Sequence, residues 1–391
     1  MIQPKRVSIL GSTGSIGQHS LHLIKQHPEL FAVECLTAHR NVDLLAKQAI
    51  EFNAKHAVIA DEGLFADLKS ALFGTSIHVS AGLNAIDDAA SIPAEVVVAG
   101  IVGAVGLKPT MTAIKQGTTI AFANKECLVC AGDIMLDAVK HHNATLIPVD
   151  SEHSAIFQVF DTTDPQSVEK IILTASGGPL LNYPLEALSM VKPEQALNHP
   201  TWNMGAKISI DSATMMNKGL EIIEAHYLFP VRLDQIDVLI HPESIIHSMV
   251  QYQDGSVLAQ LGTPDMCTPL SYALHYPQRL AVKSKRLDLV QLKTLSFFEP
   301  DLSRFPALTL ARQALTAGLH ATIMLNSANE VAVDLYLNNK IRFTDITLLI
   351  ESCLQVLPSD GTISTIDDVI HYNELCNITA LEIAHSGTFT Y

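Results

Sequence analysis

The first 150 residues alternate between short apolar runs and longer amphipathic stretches. The longer stretches repeat their apolar residues at helical spacing, whereas the short runs have the length and composition of buried strands. The apolar runs are VSIL (7–10), VECLTA (33–38), HAVIA (56–60), IHVSA (77–81), EVVVAGI (95–101), TTIAFA (118–123) and ATLIPV (144–149). Because strands alternating with helices are typical of a doubly wound parallel sheet, residues 1–150 are predicted to form one α/β domain.

The pattern is mixed from residue 151 to about 285, which predicts a central α+β domain. The segments predicted as strands are KIILTASGG (170–178), KISIDSA (207–213), QIDVLIH (235–241) and SVLAQLG (256–262), and SATMMNKGLEIIEAHYLF (212–229) is predicted as a helix. Residues 286–305 are irregular and are interpreted as a linker. Residues 306–391 are helical in pattern, which predicts a C-terminal helical bundle.

Composition narrows the class of protein. A chain of 391 residues with 48% hydrophobic residues indicates more than one core. The formal net charge of −15 argues against a nucleic-acid partner or an anionic membrane surface, so an anionic ligand would need a locally basic pocket. No apolar run approaches the roughly 20 residues that span a bilayer. A strand-like segment begins at Arg6, leaving no room for a signal peptide, and we expect a cytoplasmic protein.

The six cysteines are scattered, as in a reduced cytosolic enzyme. Cys127 and Cys130 form a CxxC motif, but no second Cys or His pair accompanies it at metal-ligand spacing. The surrounding CLVCAG is typical of an apolar helix face. Packing is therefore predicted for both cysteines, in preference to redox or zinc chemistry.

A glycine-rich turn, Gly11, Gly14 and Gly17 in GSTGSIG, separates the first predicted strand from a predicted helix. Glycines let the backbone approach a pyrophosphate, and a helix N-terminus offers it free amides and a positive dipole end. The strand–turn–helix context favours a Rossmann-type dinucleotide site over a turn without a ligand. The second strand ends in AHRN, where NAD sites usually carry an acid. An arginine at that place, Arg40, suits a 2′-phosphate and predicts NADPH over NADH.

Two carboxylates, Asp150 and Glu152, follow the last apolar run of this region in the sequence PVDSEHSA. In an extended segment their side chains would point to the same face, where the two anions would repel each other. A cation or a shared proton would hold them together. The alternative is that the pair marks a polar turn or a helix cap, and these eight residues leave both interpretations open.

A third carboxylate, Glu221, follows Asn217 and Lys218 at helical spacing, so all three would share one helix face. With the hydroxyl of Ser212 ahead of them, they could hold an anion at one end and a cation at the other. An exposed helix with an ordinary Lys–Glu pair is the alternative.

Two loops complete the set of candidates. TASGGPL (174–180) is a glycine-rich turn in which Ser176 could donate to a phosphate, although a structural turn would look the same. The segment NHPTWNMGAK (198–207) contains the only tryptophan, Trp202, among polar and turn-forming residues, which suggests a lid that excludes water.

Together these segments resemble one family, the 1-deoxy-D-xylulose 5-phosphate reductoisomerases of the non-mevalonate isoprenoid pathway. The resemblance runs in order from residue 7 to about 333, through GSTGSIG, AHRN, AGIVGAVGLKPT, ANKECLV, PVDSEHSAIFQ, TASGGP, HPTWNMGAKISIDSATMMNKGLEIIEA, HPESIIHSMVQ and LNSANEVAV. It implies a dinucleotide-binding domain, a central catalytic domain and a C-terminal helical bundle, assembled as a homodimer.

The resemblance also implies roles for individual residues. The implied NADPH contacts are Thr13, Gly14, Ser15, Ile16, His39, Arg40, Asn41, Asn124, Glu126 and Gly205. The implied metal ligands are Asp150, Glu152 and Glu221. The implied contacts with the sugar phosphate are Lys125, Ser151, Ser176, His199, Ser212, Asn217 and Lys218, with Trp202 and Met204 on the lid. Three positions depart from the family pattern, His39, Cys127 and Ser327, and none is an implied metal or phosphate position.

The implied reaction joins a rearrangement to a reduction. A divalent ion, Mg²⁺, Mn²⁺ or Co²⁺ by its all-oxygen ligands, would stabilise oxyanions while the carbon skeleton of the ketose phosphate rearranges. NADPH would then reduce the resulting aldehyde, with Lys125 assisting near the developing charge.

Two other functions would also fit a GxxGxxG turn. One is a semialdehyde dehydrogenase, which would need a nucleophilic Cys127 or Cys267 and no metal. The other is a non-catalytic Rossmann-type redox sensor, which would need neither the carboxylates nor the lid. Chelation of the metal separates these functions, since it should abolish turnover only in a metal-dependent reductoisomerase.

Overall fold

The computed structural model describes residues 3–202, 204–359, 361–386 and 389. Asn203, inside the predicted lid, lies outside the described residues. Within the described residues the chain forms eleven strands: β1 (Lys5–Leu10), β2 (Phe31–Ala38), β3 (His56–Ile59), β4 (His78–Ala81), β5 (Val96–Ala99), β6 (Thr119–Phe122), β7 (Thr145–Pro148), β8 (Val168–Ala175), β9 (Ile236–Ile240), β10 (Ile246–Tyr252) and β11 (Val257–Leu261).

The same residues form seventeen α-helices. They are α1 (Ser15–Gln26), α2 (Val42–Glu51), α3 (Phe65–Ala71), α4 (Leu83–Ala90), α5 (Leu107–Ile114), α6 (Lys125–His141), α7 (Ser151–Val159), α8 (Leu185–Leu188), α9 (Pro193–Leu197), α10 (Ala206–Ala213), α11 (Met216–Leu228), α12 (Cys267–His275), α13 (Leu289–Leu292), α14 (Ala307–Ala317), α15 (Leu319–Leu337), α16 (Phe343–Leu354) and α17 (Ile366–His385). None of these helices is long and apolar enough to cross a bilayer.

The chain divides into two compact units. Unit 1 comprises Met1–Cys127, Met135–Ser154 and Asp265–Lys285, and unit 2 comprises Leu128–Ile134, Ala155–Pro264 and Arg286–Tyr391. Helix α6 contributes to both units and has a non-helical residue, Ala131, in its interior.

Unit 1 is built on a seven-stranded sheet with the order β4-β3-β2-β1-β5-β6-β7, and neighbouring strands pair in parallel. Strand β5 is buried along its whole length, as expected for a strand covered on both faces. The order reverses direction at β1, where the chain crosses from β4 back to β5. The prediction of a doubly wound parallel sheet is therefore confirmed, and loops at the carboxyl ends of its strands can form a ligand site.

Unit 2 contains a four-stranded sheet with the order β11-β10-β8-β9. Strands β8 and β9 are parallel, and β10 pairs antiparallel with β8 and with β11. The C-terminal helices pack around α15, which contacts α14, α16 and α17 and buries most of its residues. The irregular segment after residue 286 forms an isolated bridge between Phe298 and Ile240 at the β9 edge.

Two local predictions are wrong. KISIDSA, predicted as a strand, forms α10, because Ser209, Ile210, Asp211 and Ala213 face other helices and Lys207 pairs with Asp211 at i,i+4 spacing. The alternating Ile and Ser residues imitate a strand, but tertiary packing overrides that local pattern. Asp150 and Glu152 are not in an extended segment either, since α7 begins at Ser151. Asp150 directly precedes this helix, and Glu152 lies in its first turn.

Candidate active site

The glycine-rich turn after β1 leads directly into α1. Gly11 has a φ of +83°, and its amide donates to Thr37 Oγ1 at 2.9 Å, which ties the turn to the end of β2. Gly17 approaches the backbone of Ser12 so closely that no side chain would fit. Helix α1 begins at Ser15 without a side-chain cap. The turn therefore presents backbone amides and the positive end of a helix dipole, an arrangement that suits a pyrophosphate.

The predicted nucleotide contacts lie on the outer side of this turn and at the end of β2. Thr13 and Ile16 are partly exposed, and the exposed residues are Gly14, Ser15, His39, Arg40 and Asn41. Arg40 Nε lies 3.3 Å from Asp61 Oδ2, and Asn41 caps α2. Glu34, the acid on the same strand, is buried and paired with Lys55 at 2.9 Å, so it is not available to a ribose.

Asn124 connects the loops that follow β5 and β6. Its Nδ2 donates to the carbonyl oxygens of Ile101 and Gly103, the latter at 2.9 Å. Gly106 packs against the same amide and has no room for a side chain. Since α6 begins at the next residue, Lys125, this amide orients the first turn of the helix that carries Lys125 and Glu126.

Lys125 and Asp150 form an ion pair at the ends of β6 and β7. The two strands are neighbours in the sheet, so their carboxyl ends bring together residues that are 25 positions apart. Burial is the largest single influence on the Asp150 carboxyl and raises its pKa, but the Lys125 ammonium and the hydrogen bonds with Lys125 and Glu152 act in the opposite direction and help to hold that pKa well below its usual range. His153, which the sequence analysis did not single out, lowers the pKa further.

Glu152 lies in the first turn of α7, and its Oε2 accepts a hydrogen bond from Ser151 Oγ at 2.6 Å. Both side chains are partly exposed, as is Asp150. Unit 1 therefore collects Lys125, Asp150, Ser151 and Glu152 at one end of its sheet.

In unit 2, Ser176 and His199 meet at the carboxyl end of β8. Ser176 Oγ lies 3.0 Å from His199 Nε2 and accepts from the Gly178 amide at 3.1 Å. The amides of Thr201 and Trp202 donate to His199 Nδ1 at 3.1 and 2.9 Å. Because Nδ1 accepts, Nε2 carries the proton and donates to Ser176. Burial lowers the pKa of His199, which favours this neutral form.

The predicted lid is attached to this histidine. The Trp202 ring lies 6.3 Å from the ring of buried His247 and is partly exposed, as is Met204. Gly205 is exposed and occupies the N-cap position of α10. The segment is thus held at His199 on one side and at α10 on the other.

Ser212 lies near the C-terminal end of α10, close to the turn that contains Ser176. Gly178 has a φ of +69°, and a Cβ there would come within 2.6 Å of the Ser212 carbonyl oxygen. The glycine therefore allows the β8 turn and α10 to touch through their backbones.

Helix α11 places Asn217, Lys218 and Glu221 on one face, as their spacing predicts. Asn217 Nδ2 and Lys218 Nζ both donate to the carboxylate of Glu221, which is fully buried. Lys218 is buried as well. The alternative of an exposed Lys–Glu pair is therefore wrong.

The cysteines do not have the environment of a nucleophile. Cys127 and Cys130 are buried in α6, in line with the packing prediction. Burial and the neighbouring Asp265 raise the pKa of Cys267 to about 12, so its thiolate is scarce at neutral pH. The chemistry of a thiol-dependent semialdehyde dehydrogenase has no support in these residues.

Family models match most of the chain. The model described as 1-deoxy-D-xylulose 5-phosphate reductoisomerase matches residues 7–132, the model of its C-terminal domain matches residues 146–229, and a model described as DXP reductoisomerase C-terminal domain matches residues 261–377.

Curated relatives and solved structures agree with these matches. The enzyme of this name from Rhodospirillum centenum is 53% identical over 93% of this chain and 90% of its own, and that from Zymomonas mobilis is 48% identical over 99% of both. The solved Zymomonas mobilis enzyme in complex with NADPH superposes with a TM-score of 0.94 at 47% identity, covering 98% of this chain and 100% of that one. A reductoisomerase complex with NADPH, fosmidomycin and magnesium superposes with a TM-score of 0.93 at 41% identity, covering 97% and 98%. The chain belongs to the 1-deoxy-D-xylulose 5-phosphate reductoisomerase family.

Proposed function

We propose that the residues described above carry out the reaction of this family, the NADPH- and metal-dependent rearrangement and reduction of 1-deoxy-D-xylulose 5-phosphate to 2-C-methyl-D-erythritol 4-phosphate. One observation supports the assignment of residues. In each of the two units, a largely buried lysine forms an ion pair with a carboxylate that is proposed to bind the metal. These pairs are Lys125 with Asp150 and Lys218 with Glu221. The Lys125 ammonium helps to keep the Asp150 carboxylate ionised, as a metal ligand must be.

The proposed metal ligands are Asp150, Glu152 and Glu221. Their donor atoms are all carboxylate oxygens, which fit the hard divalent cations Mg²⁺ and Mn²⁺ and also accept Co²⁺. When bound, the cation would supply Lewis-acid stabilisation of the oxygens on the ketose. Lys125 adds a fixed positive charge beside Asp150, where it can stabilise negative charge on the reacting sugar.

The proposed phosphate seat uses hydroxyl, amide, imidazole and ammonium groups of unit 2. Its members are Ser176, His199, Ser212, Asn217 and Lys218. In a globally acidic chain, these neutral donors and one buried cation make the locally basic pocket that an anionic substrate needs. Ser151, beside Glu152, is proposed to contact the sugar itself. Binding energy from the phosphate can stabilise the closed state in which the chemistry occurs.

The lid is proposed to be the segment 198–207, with Trp202 and Met204 over the substrate. The amides of Thr201 and Trp202 donate to the same imidazole whose Nε2 hydrogen faces Ser176. A displacement of these phosphate donors would therefore also move the lid backbone that is bonded to His199. This coupling supports a role of the lid in excluding water.

The proposed NADPH site is the turn after β1 together with the end of β2 and the start of α6. The pyrophosphate would bind the free amides of α1, and Arg40 would pair with the 2′-phosphate. The proposed contacts are Thr13, Gly14, Ser15, Ile16, His39, Arg40, Asn41, Asn124 and Glu126, with Gly205 from the lid.

The proposal also divides the chain by function. Residues 1–150 form the nucleotide-binding domain, which also supplies Lys125 and Asp150 to the chemistry, and residues 151–285 form the catalytic domain that binds metal and substrate. Residues 286–305 are a linker, and residues 306–391 form the C-terminal helical domain. A cytoplasmic location is part of the same proposal, and the scattered positions of the six cysteines along the sequence support it.

The proposed assembly is a homodimer that joins two copies through β11. This strand lies at an edge of the unit 2 sheet, and its Val257, Leu258 and Leu261 side chains are exposed. An exposed apolar edge strand is a template for pairing with another chain, whereas the opposite edge strand, β9, already pairs with Phe298. Sedimentation of Leu258→Lys, with Phe73→Lys as an exposed control, should show loss of the dimer only in the first variant.

One assay tests the function. NADPH oxidation with 1-deoxy-D-xylulose 5-phosphate should require a divalent cation and should stop when the cation is chelated, while NADPH binding persists. Turnover that survives complete chelation would contradict the proposal. Loss of NADPH binding on chelation would instead show that the metal serves the nucleotide site.

A further inference from the structure

A buried ion pair on α10 lies outside the set of proposed ligand contacts. Lys207 Nζ lies 2.9 Å from Asp211 Oδ2, and the Asp211 side chain is only 2% exposed. The other carboxylate oxygen of Asp211, Oδ1, accepts a hydrogen bond of 2.8 Å from Asn329 Nδ2 on α15. Both oxygens of a buried carboxylate therefore have a donor, which is the condition for keeping such a charge in a protein interior.

Asn329 is oriented by this carboxylate. Its own Oδ1 is buried and has no hydrogen-bond partner among the residues that the structure describes. Rotating the amide would bring Oδ1 against Asp211 Oδ1, two acceptors facing each other, so the Asp211 carboxylate selects the observed orientation. The contact is thus retained although it leaves a buried acceptor unsatisfied, and it holds α10 against α15 in one register.

The pair connects the lid to the phosphate seat. Lys207 is both the second residue of α10 and the last residue of the lid segment 198–207, while Asp211 precedes Ser212. The Ser212 backbone in turn packs against Gly178 in the turn that contains Ser176. A shift of α10 along α15 would therefore move Ser212 and the attachment of the lid together.

Charge adds a second requirement. An unneutralised carboxylate one residue from a phosphate donor would repel the phosphate, and the repulsion is strong at low dielectric. Lys207, partly exposed, supplies the compensating charge from the side of the lid.

We propose that Asp211, Asn329 and Lys207 are positioning residues for the phosphate of the substrate: they fix α10, and through it Ser212 and the lid. This inference rests on the proposed function, because it assumes that Ser212 binds the phosphate. None of the three residues needs to touch the substrate.

The test compares Asp211→Asn and Lys207→Gln with Arg232→Gln, which breaks the exposed Arg232–Asp234 pair of the same unit. The constants measured are the KM for 1-deoxy-D-xylulose 5-phosphate, the inhibition constant of inorganic phosphate, the KM for NADPH and kcat. We expect the first two to rise about tenfold, the worth of one hydrogen bond to a charged group, with the KM for NADPH unchanged. A purely structural defect would lower kcat through the active fraction and leave both KM values alone. Lys207→Arg should restore the sugar-phosphate KM.

The outcomes separate this inference from the proposed function. If Ser212→Ala leaves the phosphate constants unchanged, the proposed role of Ser212 is wrong, and with it the basis of the inference. If Ser212→Ala raises them but Asp211→Asn and Lys207→Gln do not, only the positioning role is overturned. An equal rise in Arg232→Gln would also overturn it. Should Asp211→Asn fail to fold, Lys207→Gln decides, because that side chain is partly exposed and its loss leaves the Asp211–Asn329 hydrogen bond in place.

Discussion

The two lysine–carboxylate pairs of the proposed metal set arise in different ways. Lys218 and Glu221 are three residues apart on α11, so helical geometry alone brings them together. Lys125 and Asp150 meet only because β6 and β7 are neighbours in a parallel sheet. The pair on α11 is sealed from solvent, with Glu221 fully buried, whereas the Asp150 side chain keeps 16% of its exposure. The same kind of ion pair is thus formed once within a single helix and once between the ends of neighbouring strands. Because the two pairs differ in burial, mutation of their residues should have different effects on stability.

The largest effect should come from removing a carboxylate. Asp150→Asn and Glu221→Gln should each lower kcat/KM by at least about 1,000-fold. The loss of one charged ligand weakens the binding of the cation, and with it the stabilisation of the reacting oxygens by the cation. NADPH oxidation at limiting Mg²⁺ measures this, with circular dichroism as the check on folding. Near-normal rates in both variants would show that no shared ion binds these residues.

Replacing the lysine of each pair should lower the free energy of unfolding by different amounts in the two pairs. Lys218→Met removes the charged partner of Glu221, which is sealed from water, and should cost about 3–5 kcal/mol in the free energy of unfolding. Lys125→Met should cost clearly less, because the partly exposed Asp150 can be hydrated. Urea unfolding of the metal-free protein gives both values. Equal losses would mean that burial does not distinguish the pairs.

A mutation of Arg40, a proposed NADPH contact in unit 1, should have an effect of intermediate size. Arg40→Ala should raise the KM for NADPH, because it removes a charge-assisted contact with the 2′-phosphate that is worth about 1.5–3 kcal/mol. The KM for NADH should change little, since NADH has no 2′-phosphate. The KM for the sugar phosphate should stay constant, because Arg40 is not among the proposed contacts of that ligand. A parent enzyme that uses both nucleotides equally well would contradict the role of Arg40.

The smallest effect should be the pH dependence due to His199. Burial lowers the pKa of this imidazole in the folded chain, so the unfolded chain binds the proton more readily. The stability from the neutral imidazole is complete above the ordinary value of about 6.5 and declines as the pH falls through the lowered pKa of the folded state. In His199→Gln the unfolding free energy should fall less between pH 7.5 and pH 5, as measured by urea denaturation. The same slope in both proteins would contradict the assignment.

Much of the site could be predicted because its signals are local. The spacing of the glycines in the GSTGSIG turn predicts its tight backbone, since Gly11 and Gly17 occupy positions where a side chain is strained or excluded. The helix face of Asn217, Lys218 and Glu221 follows from the helical repeat. By contrast, the alternation of apolar and polar residues in KISIDSA predicts a strand. This segment forms α10 because it packs against neighbouring helices.

The sequence by itself determined the alternation of strands and helices in unit 1, the nucleotide turn and the helix that carries Glu221, because periodicity, glycine conformation and helical spacing act within a few residues. Only the tertiary structure decided that Asp150 pairs with Lys125, that His199 meets Ser176, and that Asn329 reaches Asp211 from 118 residues away. These contacts depend on which elements pack side by side. That choice is made by burial of apolar surface over the whole chain, and no short segment encodes it.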